Sequence, residues 1–407
     1  MGALSPEEQD GSADAGSPTV RSGPDAEVSS PDVVVVGGGC IGLATAWRTA
    51  RAGLRVALVD PSPGRGASWA AAGMLAPVTE VQAGEEALLG LNLISARRYP
   101  SFVEELEDEA GTTVGYRACG TLFVAADGGD RAVLGDLHRL QASLGLDVAL
   151  LTGRECRALE PMLAPGVRGG ILAPGDHQVD SRRLTAALLT AARRSGVRIH
   201  QCAAAEVAVS EDRVLGVRLG DGERVSTPTV VLAAGCWSSR LAGLPPGAVP
   251  LVRPVKGQIL RLRGPSDPPF LSRNLRGVAG GSQVYLVPRG DGRIVLGATV
   301  EESGFDTAVT AGGAYTLLRD AHQLLPGVLE LELVEIHAGL RPGSPDNAPL
   351  LGPSPLPGLV LATGHHRNGV LLAPATADAM AAYLATGQLD DDVAAFAPGR
   401  FEAEPAR

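Results

Sequence analysis

Four β-branched residues in succession, Val33 to Val36, run directly into glycines at Gly37, Gly39 and Gly42. With no polar residue among them, the valines predict a short strand buried on both faces. Glycines in this G-x-G-x-x-G spacing permit a tight turn, close approach of the backbone to a pyrophosphate, and close packing of the next helix. That helix is expected from about Ile41 to Ala52 and carries Ala44, Ala46 and Ala50, small enough to lie near a sheet. Its free N–H groups and positive dipole end favour an anion. Leu54 to Val59 read as a second apolar strand ending at Asp60, 18 residues past Gly42, where a carboxylate suits the hydroxyls of an adenosine ribose. With 53 glycines in 407 residues, isolated glycine patterns arise by chance. The order strand, glycines, helix, strand, acid therefore carries the argument, against the competing reading of a structural turn without nucleotide.

A chain of 407 residues exceeds what one hydrophobic core usually serves, so two domains are expected. The net charge of −10 argues against a nucleic-acid partner. Five scattered cysteines without a C-x-x-C pair point to reduced thiols in a cytoplasmic protein, with neither a disulfide framework nor a metal site. Residues 1–30 hold five acids before Glu27 and one basic residue, Arg21, in a Gly, Ser, Ala and Pro background. Such a segment has too little apolar surface to offset ordering entropy and no apolar region of a signal peptide, so it is expected to be disordered. No apolar run is long enough to span a bilayer.

After Asp60 the segment PSPGRGASWAAAGMLAP is built of small residues except Arg65 and Trp69. It reads either as a backbone wall against a flat cofactor or as a long linker. Glu85 to Ala110 has helical spacing with a kink expected near Pro100, Thr121 to Ala125 a strand, and Asp130 to Leu144 a helix. A further helix is expected over Leu150 to Leu159, with Thr152 as a candidate N-cap. Ser181 to Ser195 reads as a helix, and Val197 to His200 as a strand. Glu206 to Val209 and Val214 to Leu219 then read as a hairpin. A third apolar strand, Val230 to Ala233, enters a glycine turn at Gly235, which suggests that the nucleotide domain is discontinuous. From Pro250 to Val300 alternating strands predict an antiparallel sheet, followed by a helix over Gly312 to Leu325. The strand GLVLATG, the loop HHRNGVLLAP and a helix from about Ala375 to Ala385 close the chain.

The expected class is an α/β Rossmann-type dinucleotide-binding domain, discontinuous in sequence, with a second, α+β domain containing a mainly antiparallel sheet. The boundaries place residues 31–78, 157–235 and 336–390 in the first, 79–156 and 236–335 in the second, and 391–407 in a C-terminal tail.

Together, VVVVGGGCIGLATAW, GASWAAAGMLAP, TVVLAAGCWSS, PVKGQ, VYLVPR, GRIVLGAT, AGLRPGSPD and GHHRNGVLLAPAT resemble the FAD-dependent amine and amino-acid oxidases of the D-amino-acid oxidase and sarcosine oxidase superfamily. The similarity runs from Pro31 to Asp390, and the pairing of SWAAAGML with GLRPGSPD and GHHRNGVLLAP narrows it to the glycine-oxidase branch of thiamine biosynthesis. The resemblance implies FAD as cofactor, with Gly37, Gly39, Cys40, Ile41 and Gly42 at the phosphates and Asp60 at the ribose. It implies a flavin-lining loop at Ala67, Ser68, Ala72, Gly73 and Met74. Glu206 or its neighbour Val207 would meet the adenine, and His365, His366, Arg367, Asn368, Gly369, Val370 and Leu371 would form the loop over the isoalloxazine ring. It further implies Arg341 as the clamp on a substrate carboxylate, with Tyr285 and Arg367 in the same pocket. Gln283 stands where a close relative has His and Val300 where it has Met, so the substrate range is the least constrained feature.

The implied reaction passes a hydride from Cα of glycine, or of a similar small amino acid or amine, to flavin N5. It leaves an imine for the thiazole of thiamine and reduces O2 to H2O2. The alternative is a D-amino-acid or sarcosine dehydrogenase with a different electron acceptor. A homo-oligomer, a tetramer, is also implied. The residues themselves are compatible with this: arginine's planar fork suits a carboxylate, although Arg341 also reads as a surface residue of a proline-rich loop. Tyr285 reads as packing or as a pocket residue, and His365 and His366 as backbone contacts. His177 and His337 read as structural, and Lys256 either lies near the flavin or pins a turn. Asp60 after a glycine turn also suits NAD, a reading that a flavin band at about 450 nm would exclude. A non-catalytic flavin-binding module is the remaining class.

Overall fold

The computed structural model describes residues 30–401. The expectation for residues 1–30 lies outside that range, except for Ser30.

Strand β1 (Val33–Val36) is buried at every position, as its four valines require. It pairs in parallel with β2 (Val56–Val59) on one side and with Thr229–Leu232 on the other. The full order of this six-stranded sheet is Leu350–Pro353, Leu359–Thr363, Thr229–Leu232, β1, β2, Arg198–His200. Only Leu350–Pro353 runs antiparallel to its neighbour. Helix α1 (Cys40–Arg51) follows β1, with Arg48 and Arg51 in its last turn, where cations complement the dipole. Ala44 and Ala46 are fully buried, and helices Ser181–Arg194 and Ala373–Thr386 lie against α1. The small side chains predicted for close packing are used for it.

The second sheet has eight strands, ordered Glu332–Gly343, Arg253–Arg263, Arg293–Gly297, Ser282–Pro288, Asn274–Ala279, Thr121–Ala125, Gly169–Ala173, Ala149–Thr152. All neighbours are antiparallel except Asn274–Ala279 and Thr121–Ala125. Leu260, Leu262, Leu286 and Leu296 point to one face and pack with Leu317, Ala321 and Leu324 of helix Ala311–Leu324. Each such leucine contributes about 2 kcal/mol over its exposed state. The opposite face, carrying Tyr285 and Arg341, looks into a cavity.

Several local expectations are corrected. Arg341 lies in a twelve-residue strand, Glu332–Gly343, which removes the competing reading of a surface residue in a proline-rich loop. Pro342 is tolerated there because it sits at the end of the ladder opposite Pro254, a rung where neither residue has an N–H to lose. Residues 149–159 split into strand Ala149–Thr152 and helix Gly153–Leu159, with Thr152 closing a capping box with Glu155. The loop after Asp60 contains a one-turn helix, Ala67–Ala70, and a short strand, Met74–Leu75. Strands Gly169–Ala173 and Glu332–Gly343 hydrogen-bond into the eight-stranded sheet; the expected boundary at 156/157 separates the first from its partner strands, and that at 335/336 cuts through the second. Residues 391–401 are no free tail: Val393 and Phe396 are buried in the core around α1. Among the described residues, no helix is long and apolar enough to cross a membrane.

Candidate active site

A cavity of about 1090 Å³ is bordered by the C-terminal ends of β1 and β2 and by the open face of the eight-stranded sheet. Its crest is the glycine turn. Gly37 adopts φ +112°, and a Cβ there would fall 2.3 Å from the Ala233 carbonyl oxygen. A Cβ on Gly42 would fall 1.9 Å from the Gly37 carbonyl oxygen. Gly42 therefore stands behind the cavity and packs the turn, while Gly37, Gly39, Cys40 and Ile41 border it. The Cys40 N–H donates to Ser68 Oγ at 3.0 Å, and Cys40 Sγ reaches the Gly369 carbonyl at 3.4 Å, joining the turn to the loop at 365–371. Burial pushes the Cys40 thiol up, so it stays protonated.

Asp60 ends β2 at the cavity edge. Its Oδ2 accepts from the Gly38 N–H at 2.6 Å and its Oδ1 from the Ser62 N–H at 2.7 Å, which fixes the carboxylate while leaving lone pairs free. Ala67, Ser68, Ala72, Gly73 and Met74 form one wall. Gly73, at φ +74°, lies where a Cβ would meet the Val179 carbonyl at 2.0 Å. The wall is braced from behind by Arg289, buried, which donates to the carbonyls of Ala72 and Val179. Burial brings the Arg289 guanidinium down to about 10. His365, His366, Arg367, Asn368, Gly369, Val370 and Leu371 all border the cavity. Burial pushes His365 down to about 3; burial, with Arg367, Arg341 and Arg253 nearby, pushes His366 down to about 4. Both imidazoles are therefore neutral at neutral pH. His365 Nε2 is taken up by Thr376 Oγ1 at 3.0 Å.

Glu206 and Val207, implied at the adenine, lie outside the cavity lining. Glu206 is ion-paired with Arg218 across the hairpin, and Val207 is buried in the core, its N–H donating to Ala242. Neither borders the cavity; Ala203 and Ala204 do, because the strand begins at Ala204, two residues before the expected start.

The end of the cavity that carries Tyr285 and Arg341 lies on four adjacent strands. Gly297 pairs directly with Tyr285, and a Cβ on Gly297 would fall 2.5 Å from the Tyr285 hydroxyl. Gly257 likewise leaves room for the Arg341 guanidinium. Arg341 Nη1 donates to the carbonyls of Thr299 at 3.2 Å and Lys256 at 3.4 Å. Among the described residues no carboxylate pairs with it. Burial pushes the Tyr285 hydroxyl up while Arg341 draws it back, so Tyr285 remains a donor.

Arg367, implied as a pocket arginine, is already engaged: its Nη2 donates to Glu85 at 3.1 Å and its Nε lies 3.4 Å from Glu80. Glu80 also pairs with Arg276, which faces Tyr285 across the adjoining strand. Glu80 and Arg276 were not anticipated; the one signal was a single charge in each of two otherwise apolar or small-residue segments. Gln283 and Val300 border the cavity as expected. At this end the cavity offers Arg341, a cation without a carboxylate partner, beside a neutral phenol, and among the described residues no ionisable pair there is suited to moving a proton.

The donors, glycine cradle and flat wall fit FAD. Gly37 to Ile41 would hold the pyrophosphate, Asp60 the ribose, Ala203 and Ala204 would border the adenine, and residues 67–74 and 365–371 would enclose the flavin.

Residues 32–383 match the family model described as FAD dependent oxidoreductase. The chain is 36% identical, over 92% of its length, to the bifunctional protein ThiO/ThiG of Trichormus variabilis, and covers 55% of that protein. It spans about half the length of the bifunctional relatives it matches. It is 35% identical to a glycine oxidase of Geobacillus kaustophilus, over 85% of this chain and 90% of that one. The crystal structure of glycine oxidase from Geobacillus kaustophilus superposes with a TM-score of 0.84 at 33% identity, covering 92% of this chain and 99% of that one. A match of this extent, on a chain whose glycine cradle and strand order suit the dinucleotide, places the protein in the DAO family of FAD-dependent oxidoreductases.

Proposed function

We propose that the protein oxidises the Cα–N bond of glycine and of similar small amino acids or amines, yielding an imine and, with O2 as acceptor, H2O2. We propose also that the imine supplies the thiazole of thiamine. The observation that carries this reading is Arg341, a half-buried cation without an acid partner, held by two carbonyls beside Tyr285 at the cavity wall. A planar guanidinium and a carboxylate form two parallel charge-assisted hydrogen bonds, which fixes Cα relative to the wall. Fixing geometry in this way removes up to about 7 to 11 kcal/mol from a barrier. FAD, when bound, supplies the two-electron acceptor. The protein's own residues then bind the carboxylate at Arg341, donate from the Tyr285 hydroxyl, and limit substrate size with Glu80, Arg276 and Gln283. His365 and His366, lowered by burial, are too weakly basic to deprotonate an ammonium, which fits an amine that reacts unprotonated. The names of the relatives, glycine oxidase and ThiO/ThiG, support the choice of glycine.

The test is oxygen uptake by the FAD-loaded protein with glycine, sarcosine and D-alanine in parallel. Uptake fastest with glycine, with peroxide formed, is the expected result. Flavin bleaching by substrate under anaerobic conditions, with negligible oxygen uptake, would instead make it a dehydrogenase with another acceptor.

A further inference from the structure

Lys256 is the only lysine in the chain, beside 34 arginines, and it is 1% exposed. A buried ammonium is costly unless its charge is matched and its hydrogens are taken up. Its Nζ lies 3.3 Å from Asp306 Oδ2 and 3.4 Å from Glu301 Oε2. Both acids belong to residues 299–310, which lie between strand Arg293–Gly297 and helix Ala311–Leu324 and whose first two residues, Thr299 and Val300, border the cavity. An ammonium is compact and can sit between two carboxylates; a guanidinium needs a wide planar set of acceptors.

The same segment is sewn to strand Arg253–Arg263 by its backbone. The Lys256 N–H donates to the Glu301 carbonyl at 2.9 Å, and the Glu301 N–H to the Lys256 carbonyl at 3.0 Å. Gln258 Nε2 donates to Glu301 Oε1 at 2.8 Å, and Gln258 Oε1 accepts from the Thr310 N–H at 2.9 Å. Burial alone would raise the Glu301 carboxyl, but hydrogen bonds from Thr299 and Gln258 and the Lys256 charge hold it below its usual range. Farther out, Phe305 of the segment packs on Trp237 at 5.6 Å and under Arg240 at 4.3 Å. The two carbonyls that receive the Arg341 guanidinium, Lys256 and Thr299, lie one on each side of this seam.

We propose that Lys256 is a positioning residue for substrate binding: by holding Glu301 and Asp306 it pins residues 299–310 to strand Arg253–Arg263, and so fixes the two carbonyls that aim Arg341. The inference rests on Arg341 being the carboxylate clamp.

The test compares Lys256→Met with the parent as FAD-loaded full chains. Chymotryptic cleavage after Phe305, followed by intact mass, is expected to run about tenfold faster in the variant, since local opening sets the cleavage rate. The KM for glycine should rise about tenfold with kcat within about twofold, the pattern of lost ground-state binding. Parental cleavage and parental KM would overturn the proposal; faster cleavage with an unchanged KM would also overturn it, because the seam would then not aim Arg341. If neither protein turns over glycine, the reading of the reaction has failed separately. Titration of the flavin spectrum with benzoate, a plain carboxylate probe, then decides the role of Lys256 by whether its Kd rises about tenfold. If Lys256→Met does not fold, Glu301→Gln/Asp306→Asn, which cuts the seam from the exposed side, is read in the same way.

Discussion

Gly257 lies beneath the guanidinium of Arg341: a Cβ on it would fall 2.5 Å from each Nη nitrogen. Gly257→Ala therefore pushes the guanidinium off its carbonyl supports without touching the glycine cradle. Flavin content should stay at the parental level while the KM for glycine rises about tenfold, a loss of about 1.4 kcal/mol. Steady-state oxygen uptake checks it, and a parental KM would show that Arg341 tolerates displacement.

Arg341→Lys keeps the charge and removes the fork. Loss of one of two charge-assisted hydrogen bonds costs about 1.5–3 kcal/mol. The expectation is a kcat/KM for glycine lowered about 10- to 200-fold with flavin still bound, measured by initial rates at low glycine.

Gly42→Ala introduces a Cβ only 1.9 Å from the Gly37 carbonyl oxygen, so the turn must shift. The purified variant should carry little flavin, read as the ratio of absorbance at about 450 nm to that at about 280 nm. Full flavin occupancy would mean that the turn has slack these contacts do not suggest.

Glu80 neutralises Arg276 and Arg367 at the cavity end. Glu80→Gln leaves a second cation facing the cavity, which favours a substrate with a second carboxylate. The ratio of kcat/KM for iminodiacetate to that for glycine should rise about tenfold, since like the first clamp it gains a charge-assisted contact. A falling or unchanged ratio would place the Arg276 charge out of substrate reach.

His365 is 2% exposed, and burial lowers it to about 3 from 6.5. Above the ordinary histidine value, both folded and unfolded chains hold it neutral, and it contributes no pH dependence. Between about 6.5 and 3 the unfolded chain takes up a proton that the folded chain refuses, so stability falls as the pH falls. The slope from this residue approaches about 1.4 kcal/mol per pH unit at its steepest. Urea unfolding at pH 7, 6 and 5 should show a shallower decline in His365→Gln than in the parent.

The parts legible in the sequence are those with local signals. The valine run, the glycine spacing and Asp60 fall within one strand–turn–helix–strand unit, and the loop at 365–371 is a contiguous run of cavity residues. Glu80 and Arg276 could not be read this way, because 196 residues separate them and only the sheet brings them together. The strand of Arg341 was hidden by Gly339, Pro342 and Gly343, residues that weaken a strand in isolation and are tolerated here by pairing with Arg253–Arg263. That Ala203 and Ala204 line the cavity was not legible, because nothing in the run of alanines at 203–205 marks where the strand begins.

The position of β1 between β2 and Thr229–Leu232 has a consequence for the growing chain. One edge of β1 waits about 200 residues for its neighbour, about 10–40 s at ordinary rates of translation. Throughout that interval a strand of four bare valines offers its unpaired edge to any other nascent copy, and an unpaired edge of this kind is a template for aggregation. A chaperone that covers the segment around Val33 to Val36 until Leu232 has emerged would therefore raise yield without touching the folded protein.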